Sequence, residues 1–424
     1  MENLFHLFYE CDCVCTDTRS IINNSFYVAL KGANFNGNEF AKEALSKGAK
    51  FAIVDEDAYA DNDRIFYVID SLLFLQKLAN HHRRRFNFPV IGITGSNGKT
   101  TSKELINAVL SQSYNTLCTK GNLNNHIGVP LTLLMLNDQH EIAIIEMGAN
   151  KPEDIKELAE IAEPTYGIIT NIGKAHLEGF KTIEGVIKTK TELYDNLEKS
   201  NGKIIYNYDD EIIANQRFRN VDCFSYGKSQ NAEVIGELIE LNPFVKLNWK
   251  TSNYSSESIQ TNLVGSYNFY NFLTAITFGV LFNVPNEKIN KAITDYVPTN
   301  NRSQVLQTEK NTLIVDCYNA NPSSMLSALE SFISNTQSNK LAIIGDMLEL
   351  GEESRIEHAK ILDFCLNNKL NFTTIGPIFK EINPKGYASV SDFENVIDFN
   401  PLNNFSILLK GSRGIALEKL IPKL

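Results

Sequence analysis

Short apolar runs recur along the chain, and most are followed by stretches with the 3.6-residue spacing of a helix. The run Val90-Ile91-Gly92-Ile93, closing at Thr94, predicts a short buried strand. Upstream, the pattern predicts strands at 25–30, 51–54 and 66–69, with helices over 39–47 and 71–84. Downstream, buried strands are predicted at 141–145, 167–171 and 203–206, with helices from Lys99 through Val109 and over 183–198. Residues up to 262 then turn β-rich and irregular, as in an extension of the central sheet, before a helix over 269–282. The alternation resumes with strands at 312–315, 341–344 and 406–409 and helices from Ser323 and Ser354. Strand followed by helix, repeated, is the signature of a mostly parallel sheet with ligands at the strands' C-terminal ends.

Pro89 precedes the central strand, and Pro298-Thr299-Asn300-Asn301-Arg302 punctuates the chain again. These marks divide it into units at 1–88, 89–300 and 301–424. A length of 424 residues agrees, being too great for one ordinary core. No internal repeat or low-complexity tract is present.

Composition narrows the class. Hydrophobic residues make up 43% and charged residues 21%, as in a soluble globular protein. A net charge of −10 disfavours a nucleic-acid partner, which calls for a basic face. The basic run His81-His82-Arg83-Arg84-Arg85 reads as a solvated helix end at a domain junction. No apolar run approaches the roughly 20 residues that span a bilayer, and the acidic M-E-N-L-F-H-L-F-Y-E start lacks the basic opening of a secretory leader. Seven scattered cysteines fit a reducing compartment, so a cytoplasmic location is expected. Cys11, Cys13 and Cys15 would share one face of a strand, where they read as small buried side chains rather than as metal ligands.

Candidate chemistry concentrates in the loops that follow strands. After Thr94, Gly95-Ser96-Asn97-Gly98 makes a tight turn, and Lys99-Thr100-Thr101 opens a helix. Free backbone N–H groups and the helix dipole would then converge on one spot. Lys99 adds a mobile charge for terminal phosphates and Thr100 a hydroxyl for a phosphate-bound Mg²⁺. Ile93 stands where the strict G-x-x-x-x-G-K-[ST] pattern has its first glycine, yet the stretch still reads as a nucleotide phosphate site. Glu146, just past a buried strand, is placed as a Mg²⁺-holding acid would be. His176 follows the next strand; on sequence alone it is as readily a hydrogen-bonding residue as a ligand, because Mg²⁺ prefers oxygen. Lys188 and Lys190 lie on the following helix, where a lysine is ordinarily a solvated charge. Two loops of the first unit, Thr16-Asp17-Thr18-Arg19 and Lys31 through Asn38, are suited to gripping a polar ligand or to being ordinary turns. Three loops of the last unit, D-C-Y-N-A-N-P, G-D-M-L-E-L-G and K-G-S-R-G, should share one sheet edge facing the nucleotide.

Taken together, T-D-T-R, A-L-K-G, T-G-S-N-G-K-T-T, N-L-N-N-H-I-G-V-P, E-M-G-A-N, A-H-L-E-G-F, D-C-Y-N-A-N-P, G-D-M-L-E-L-G and K-G-S-R resemble the Mur ligase family, ATP-dependent amide-forming enzymes of peptidoglycan assembly. The D-x-Y-N-A-N-P form is similar to that of the dipeptide-adding member, and no D-N-P-R-like segment of the preceding, diamino-acid-adding member is found. The resemblance implies an α/β chain of three domains. The first is a small α/β unit for the uridine nucleotide, the second a central P-loop-type ATPase with a mostly parallel sheet, the third a Rossmann-like unit that brings the dipeptide. The expected substrates are UDP-N-acetylmuramoyl-tripeptide, D-alanyl-D-alanine and ATP with Mg²⁺; no membrane span is expected, and the chain is expected to be a monomer.

By motif match, Gly95, Ser96, Asn97, Gly98, Lys99, Thr100 and Thr101 would hold the phosphates. Asn268, Arg302, Asp316, Tyr318 and Asn319 would lie on the adenosine and hinge side. Thr18, Arg19, Asn36 and Gly37 would contact the uridine nucleotide, and Asn122, Asn124 and Asn125 the muramoyl-peptide. Asp346, Lys410, Ser412 and Arg413 are expected among the substrate contacts of the last unit. The metal set would be Thr100, Glu146, His176 and Lys190, the last carbamylated; Lys99, Glu146, His176 and Lys190 form the catalytic group. Thr18 stands where the family commonly has Ser and Asn38 where it has His. Two rival readings keep the nucleotide site: another Mur or folylpolyglutamate-synthase-like ligase with a different acceptor, and a nucleotide-gated binding protein without ligation.

Overall fold

The computed structural model describes residues 1–424 except 176, 300 and 335–338. Three main sheets are strung along the chain. The first has four parallel strands in the order Cys13–Cys15, Ser25–Val28, Ala49–Val54 and Ile65–Tyr67. The second has nine, and runs Ile259–Val264, Phe244–Lys250, Val234–Leu241, Asp222–Gly227, Lys203–Asn207, Tyr166–Ile169, Val90–Thr94, Ile142–Glu146, Thr116–Cys118. It is parallel from Thr116–Cys118 as far as Val234–Leu241; the last two strands join antiparallel. The β-rich stretch thus extends the central sheet, as its pattern predicts. The third sheet, in the order Gln304–Gln307, Thr312–Asp316, Ser406–Lys410, Lys340–Gly345, Phe372–Ile375, is parallel apart from its first strand.

The apolar runs are explained by burial on both sheet faces. In Ile142–Glu146, Ala143 and Ile145 face one apolar cluster while Ile142 and Ile144 face another. Ile91 and Ile93 join the second cluster, against Leu105 and Val109 of helix Lys99–Leu110 and Phe269 and Phe272 of helix Asn268–Leu281. A strand covered by helices on both sides has no solvated positions, hence no polar alternation.

The first cluster crosses the boundary between units at Pro89. It includes Phe5, Phe26, Ile53, Phe74 and Leu78 from the first unit together with Val90, Leu133, Ile145 and Leu158 from the second. Helix Ser71–Arg83 packs against helices Gly128–Leu133 and Asp154–Ala162 to build that seam. Here two members of the basic run depart from expectation. His82 and Arg83 are buried, not solvated. Arg83 donates from Nε to the Ala162 carbonyl at 3.1 Å, from Nη1 to Phe86 at 2.7 Å and from Nη2 to Glu163 at 3.3 Å. His82 Nε2 lies 2.9 Å from the Leu136 carbonyl. Two of the carbonyls on Arg83 belong to the C-terminal end of helix Asp154–Ala162, where the helix leaves acceptors unmet and its dipole favours a cation. A guanidinium taken from water needs such partners, so His82 and Arg83 join two units while His81, Arg84 and Arg85 stay exposed.

Candidate active site

A cavity of about 1310 Å³ opens where the C-terminal edges of the second and third sheets face each other. Its lining includes Ser96, Asn97, Gly98, Lys99, Thr100 and Thr101 from the loop after Val90–Thr94.

That loop is held by the strand beside it. Asn171 accepts the Ser96 N–H on its carbonyl at 3.0 Å and the Asn97 N–H on Oδ1 at 2.9 Å. The Thr170 hydroxyl donates to the Asn97 carbonyl at 2.6 Å, and the Asn171 amide does so at 2.9 Å. Gly95 and Gly98 carry positive φ of 146° and 76°, which lets the chain turn back over the helix N-terminus. A Cβ on Gly98 would come within 2.6 Å of Asn271 Oδ1. Lys99 folds over the turn, its ammonium donating to the Gly95 carbonyl at 2.7 Å and to Ser96 at 3.3 Å. Enclosure pushes its pKa below the usual lysine range, and the negative charge of Glu146 opposes that shift.

Glu146 closes its strand and is 1% exposed. Thr100 Oγ1 donates to its Oε1 at 3.2 Å, and Asn124 Nδ2 to the same oxygen at 2.8 Å. Its other oxygen, Oε2, is buried with no hydrogen-bond partner among the described residues. A carboxylate with one orphaned oxygen beside a threonine hydroxyl is oxygen chemistry that fits a hard dication. Lys190, on helix Ile183–Ser200, is likewise 1% exposed, its ammonium 5.6 Å from the centre of the Phe180 ring. Burial drives its pKa well below the usual lysine value, and the charge on Lys99 drives it further. His176 lies outside the described residues.

Around the cavity, Asn122, Asn124 and Asn125 form part of one wall. Asn268 donates to the Val264 carbonyl at 2.7 Å and accepts from Asn271 at 2.8 Å. Across the opening, the Arg302 guanidinium stacks 3.8 Å over the Tyr318 ring, with its Nε buried and without an acceptor among the described residues. Asp316 pairs with Lys410 at 2.9 Å, and Lys410 also donates to the Asn319 carbonyl at 2.9 Å. The third sheet therefore presents its loops on one edge, as the sequence pattern implies.

Other expected residues lie elsewhere. Thr18 and Arg19 sit in a short turn capped by Asp17, and Arg19 is exposed and pairs with Asp17 at 2.6 Å. Asn36 and Gly37 lie on the first unit, Asn36 capping the turn that follows and Gly37 accepting from the Tyr27 hydroxyl at 2.9 Å. None of these four lines the cavity. Asp346 is fully buried and accepts the N–H groups of Ile378 and Phe379, each at 2.9 Å. It fixes the start of helix Pro377–Ile382 and does not line the cavity. Ser412 is buried, its hydroxyl accepting from Leu348 N at 3.0 Å, while the exposed Arg413 lies 5.5 Å from the Tyr318 ring centre.

Sequence reasoning missed several participants. Asn321 donates to Asn97 Oδ1 at 2.7 Å, tying the third unit to the phosphate loop. Its signal was present, since it ends the amide-rich run before Pro322. Lys103 is buried beside Glu146, and its spacing of four from Lys99 placed it on the same helix face. Asp209, Lys228 and Tyr270 also line the cavity; Asp209 accepts from the Lys228 N–H at 2.6 Å and the Tyr270 hydroxyl at 3.2 Å. Asp209 and Lys228 come from the irregular stretch, where no motif marks them.

Comparison with known proteins agrees with this geometry. Residues 93–279 match the Mur ligase middle domain and residues 301–396 the Mur ligase, glutamate ligase domain. The chain is 34% identical to a UDP-N-acetylmuramoyl-tripeptide–D-alanyl-D-alanine ligase of Buchnera aphidicola, over 97% of this chain and 92% of that one. It is 30% identical to the enzyme of that name from Bacillus subtilis, with 97% and 92% covered. A crystal structure of MurF from Acinetobacter baumannii superposes with a TM-score of 0.89 at 28% identity, covering 100% of this chain and 98% of that one. With the phosphate loop, the buried carboxylate and the facing third sheet all in place, this chain belongs to the Mur ligase family.

Proposed function

We propose that this chain is an ATP-dependent ligase that adds D-alanyl-D-alanine to UDP-N-acetylmuramoyl-tripeptide, through an acyl phosphate, in peptidoglycan precursor synthesis. The observation that carries this reading is the shared cavity, in which the loop at Lys99, the Glu146 carboxylate and the edge bearing Arg302, Asp316 and Lys410 meet. The names of the relatives supply the substrates.

Hydroxide is a poor leaving group, so a carboxylate must be activated before an amine can displace it. A carboxylate oxygen of the tripeptide attacks the γ-phosphorus of ATP, the bond to the β-phosphate oxygen breaks, and ADP leaves. The dipeptide amine, having lost a proton, then attacks the acyl carbon, and inorganic phosphate departs with the bonding electrons. Such chemistry depends on positioning and charge more than on a protein nucleophile. Lys99 moves from its own loop carbonyls to the terminal phosphates, and the N–H groups of the first helical turn receive the others. Thr100 and Glu146, with His176 and carbamylated Lys190 as the resemblance implies, would hold Mg²⁺, which when bound offsets phosphate charge. Burial favours the neutral amine of Lys190; its nitrogen attacks CO₂, a C–N bond forms, and one proton is lost to leave an N-carboxylate. The third unit, joined to the loop through Asn321 and Asn97, covers the reacting groups and keeps water from the acyl phosphate. The first unit, with Thr18, Arg19 and the loop at Asn36–Gly37, carries the uridine end.

Two measurements test this. ADP release with UDP-N-acetylmuramoyl-tripeptide is expected to need D-alanyl-D-alanine, with single amino acids giving less than about a hundredth of the rate; equal rates with a single amino acid would move the chain to another acceptor. Native mass spectrometry under CO₂ should find one carboxyl adduct on Lys190, and an active enzyme with an unmodified Lys190 removes the carbamate from the scheme.

A further inference from the structure

Lys103 has no part in the roles assigned above. It lies on helix Lys99–Leu110 one turn beyond Lys99, is 2% exposed, and does not line the cavity. Its ammonium donates to the Thr119 carbonyl at 2.7 Å. It stands 3.8 Å from Glu146 Oε2 and 4.0 Å from Glu104 Oε1. The Thr119 hydroxyl in turn accepts the Glu146 backbone N–H at 3.0 Å, so lysine, threonine and glutamate form one buried unit. Within it the two glutamate oxygens are treated differently. Oε1 takes hydrogen bonds from Thr100 and Asn124, whereas Oε2 takes none among the described residues and stands near the Lys103 ammonium, beyond hydrogen-bond distance.

We infer that Lys103 is a positioning residue that stands in for the dication at Glu146, so that cation capture depends on arrival of the nucleotide. The inference rests on the reading of Glu146 as a Mg²⁺ ligand. An ammonium fixed near a carboxylate compensates its charge while the cavity is empty. It also repels any dication that binds there, and in a water-poor interior a unit charge a few ångströms away weakens such binding by about tenfold or more. A nucleoside triphosphate brings enough negative charge to offset that repulsion. A lysine that merely tied the helix to Thr119 would not affect cation affinity in this direction.

The test is direct Mn²⁺ binding to the full chain without nucleotide, read by electron paramagnetic resonance. Lys103→Gln keeps a donor for the Thr119 carbonyl and removes the charge; it is expected to bind Mn²⁺ about tenfold more tightly than the wild type. Lys103→Arg, which restores the charge, should return the affinity to the wild-type level. Lys103→Met serves in the same way if the glutamine variant does not fold. Unchanged or weaker binding in a folded, uncharged variant overturns the role of Lys103 and leaves the ligase reading standing. Adding Glu146→Gln to Lys103→Gln should remove the gain. If the double variant binds as tightly as the single one, the cation does not bind at Glu146, and the metal assignment falls with the inference.

Discussion

Lys99→Ala is expected to lower ADP release by about a thousandfold or more while leaving the melting temperature nearly unchanged. Among the described residues, the ammonium is within hydrogen-bond distance only of the Gly95 and Ser96 carbonyls, both on its own loop. Losing those bonds costs the fold little, because the loop is held from the other side by Thr170 and Asn171. What disappears is the mobile charge that follows the terminal phosphate as negative charge shifts toward the leaving oxygen. Lys99→Arg should recover little of the activity, since a planar guanidinium does not replace a compact ammonium in so tight a turn. Turnover of the alanine variant within tenfold of wild type would refute the phosphate role.

Gly95→Ala is expected to damage both stability and nucleotide binding. The residue adopts φ of 146°, a conformation that side chains rarely take. An added Cβ would collide with the Thr170 hydroxyl oxygen and approach the Asn171 N–H nitrogen at 3.2 Å. The same Thr170 hydroxyl braces the Asn97 carbonyl, so relieving the collision undoes the brace. Backbone strain alone costs about 1–3 kcal/mol, and the displaced hydrogen bond about 1 kcal/mol more. Denaturant titration should show a loss of about 2–4 kcal/mol, and the apparent KM for ATP should rise at least about tenfold. A variant with wild-type stability and ATP affinity would mean that the loop does not need this turn.

What could be read from sequence divides along physical lines. Elements buried on both faces were legible because their burial leaves no polar positions: 141–145 is predicted and Ile142–Glu146 observed. The phosphate loop was legible because its chemistry is local, with glycine, lysine and threonine adjacent in sequence. The seam at Arg83 was not, since what buries it is the end of helix Asp154–Ala162, about eighty residues away. Asp346 is expected by motif match among the substrate contacts, yet its carboxylate is taken up by two backbone N–H groups more than thirty residues on. Lys103 has the helical spacing of a cavity residue, but only the packed structure shows that it points at Glu146 rather than at solvent. Asp209 and Lys228 come together through strands whose register no motif marks.

The apolar cluster that runs from Phe5 to Ala214 ignores the boundary at Pro89. Among the described residues, the third sheet's clusters around Leu329 and Leu409 draw only Val264 and the partly buried Phe244 from the second unit, and the sheet otherwise meets the phosphate loop and its neighbours through polar links such as Asn97 with Asn321 and Lys174 with Glu357. On heating, the molecule should therefore melt as two cooperative blocks rather than three. A scanning calorimeter should record one large endotherm for residues 1 to about 300 and a smaller one for the remainder.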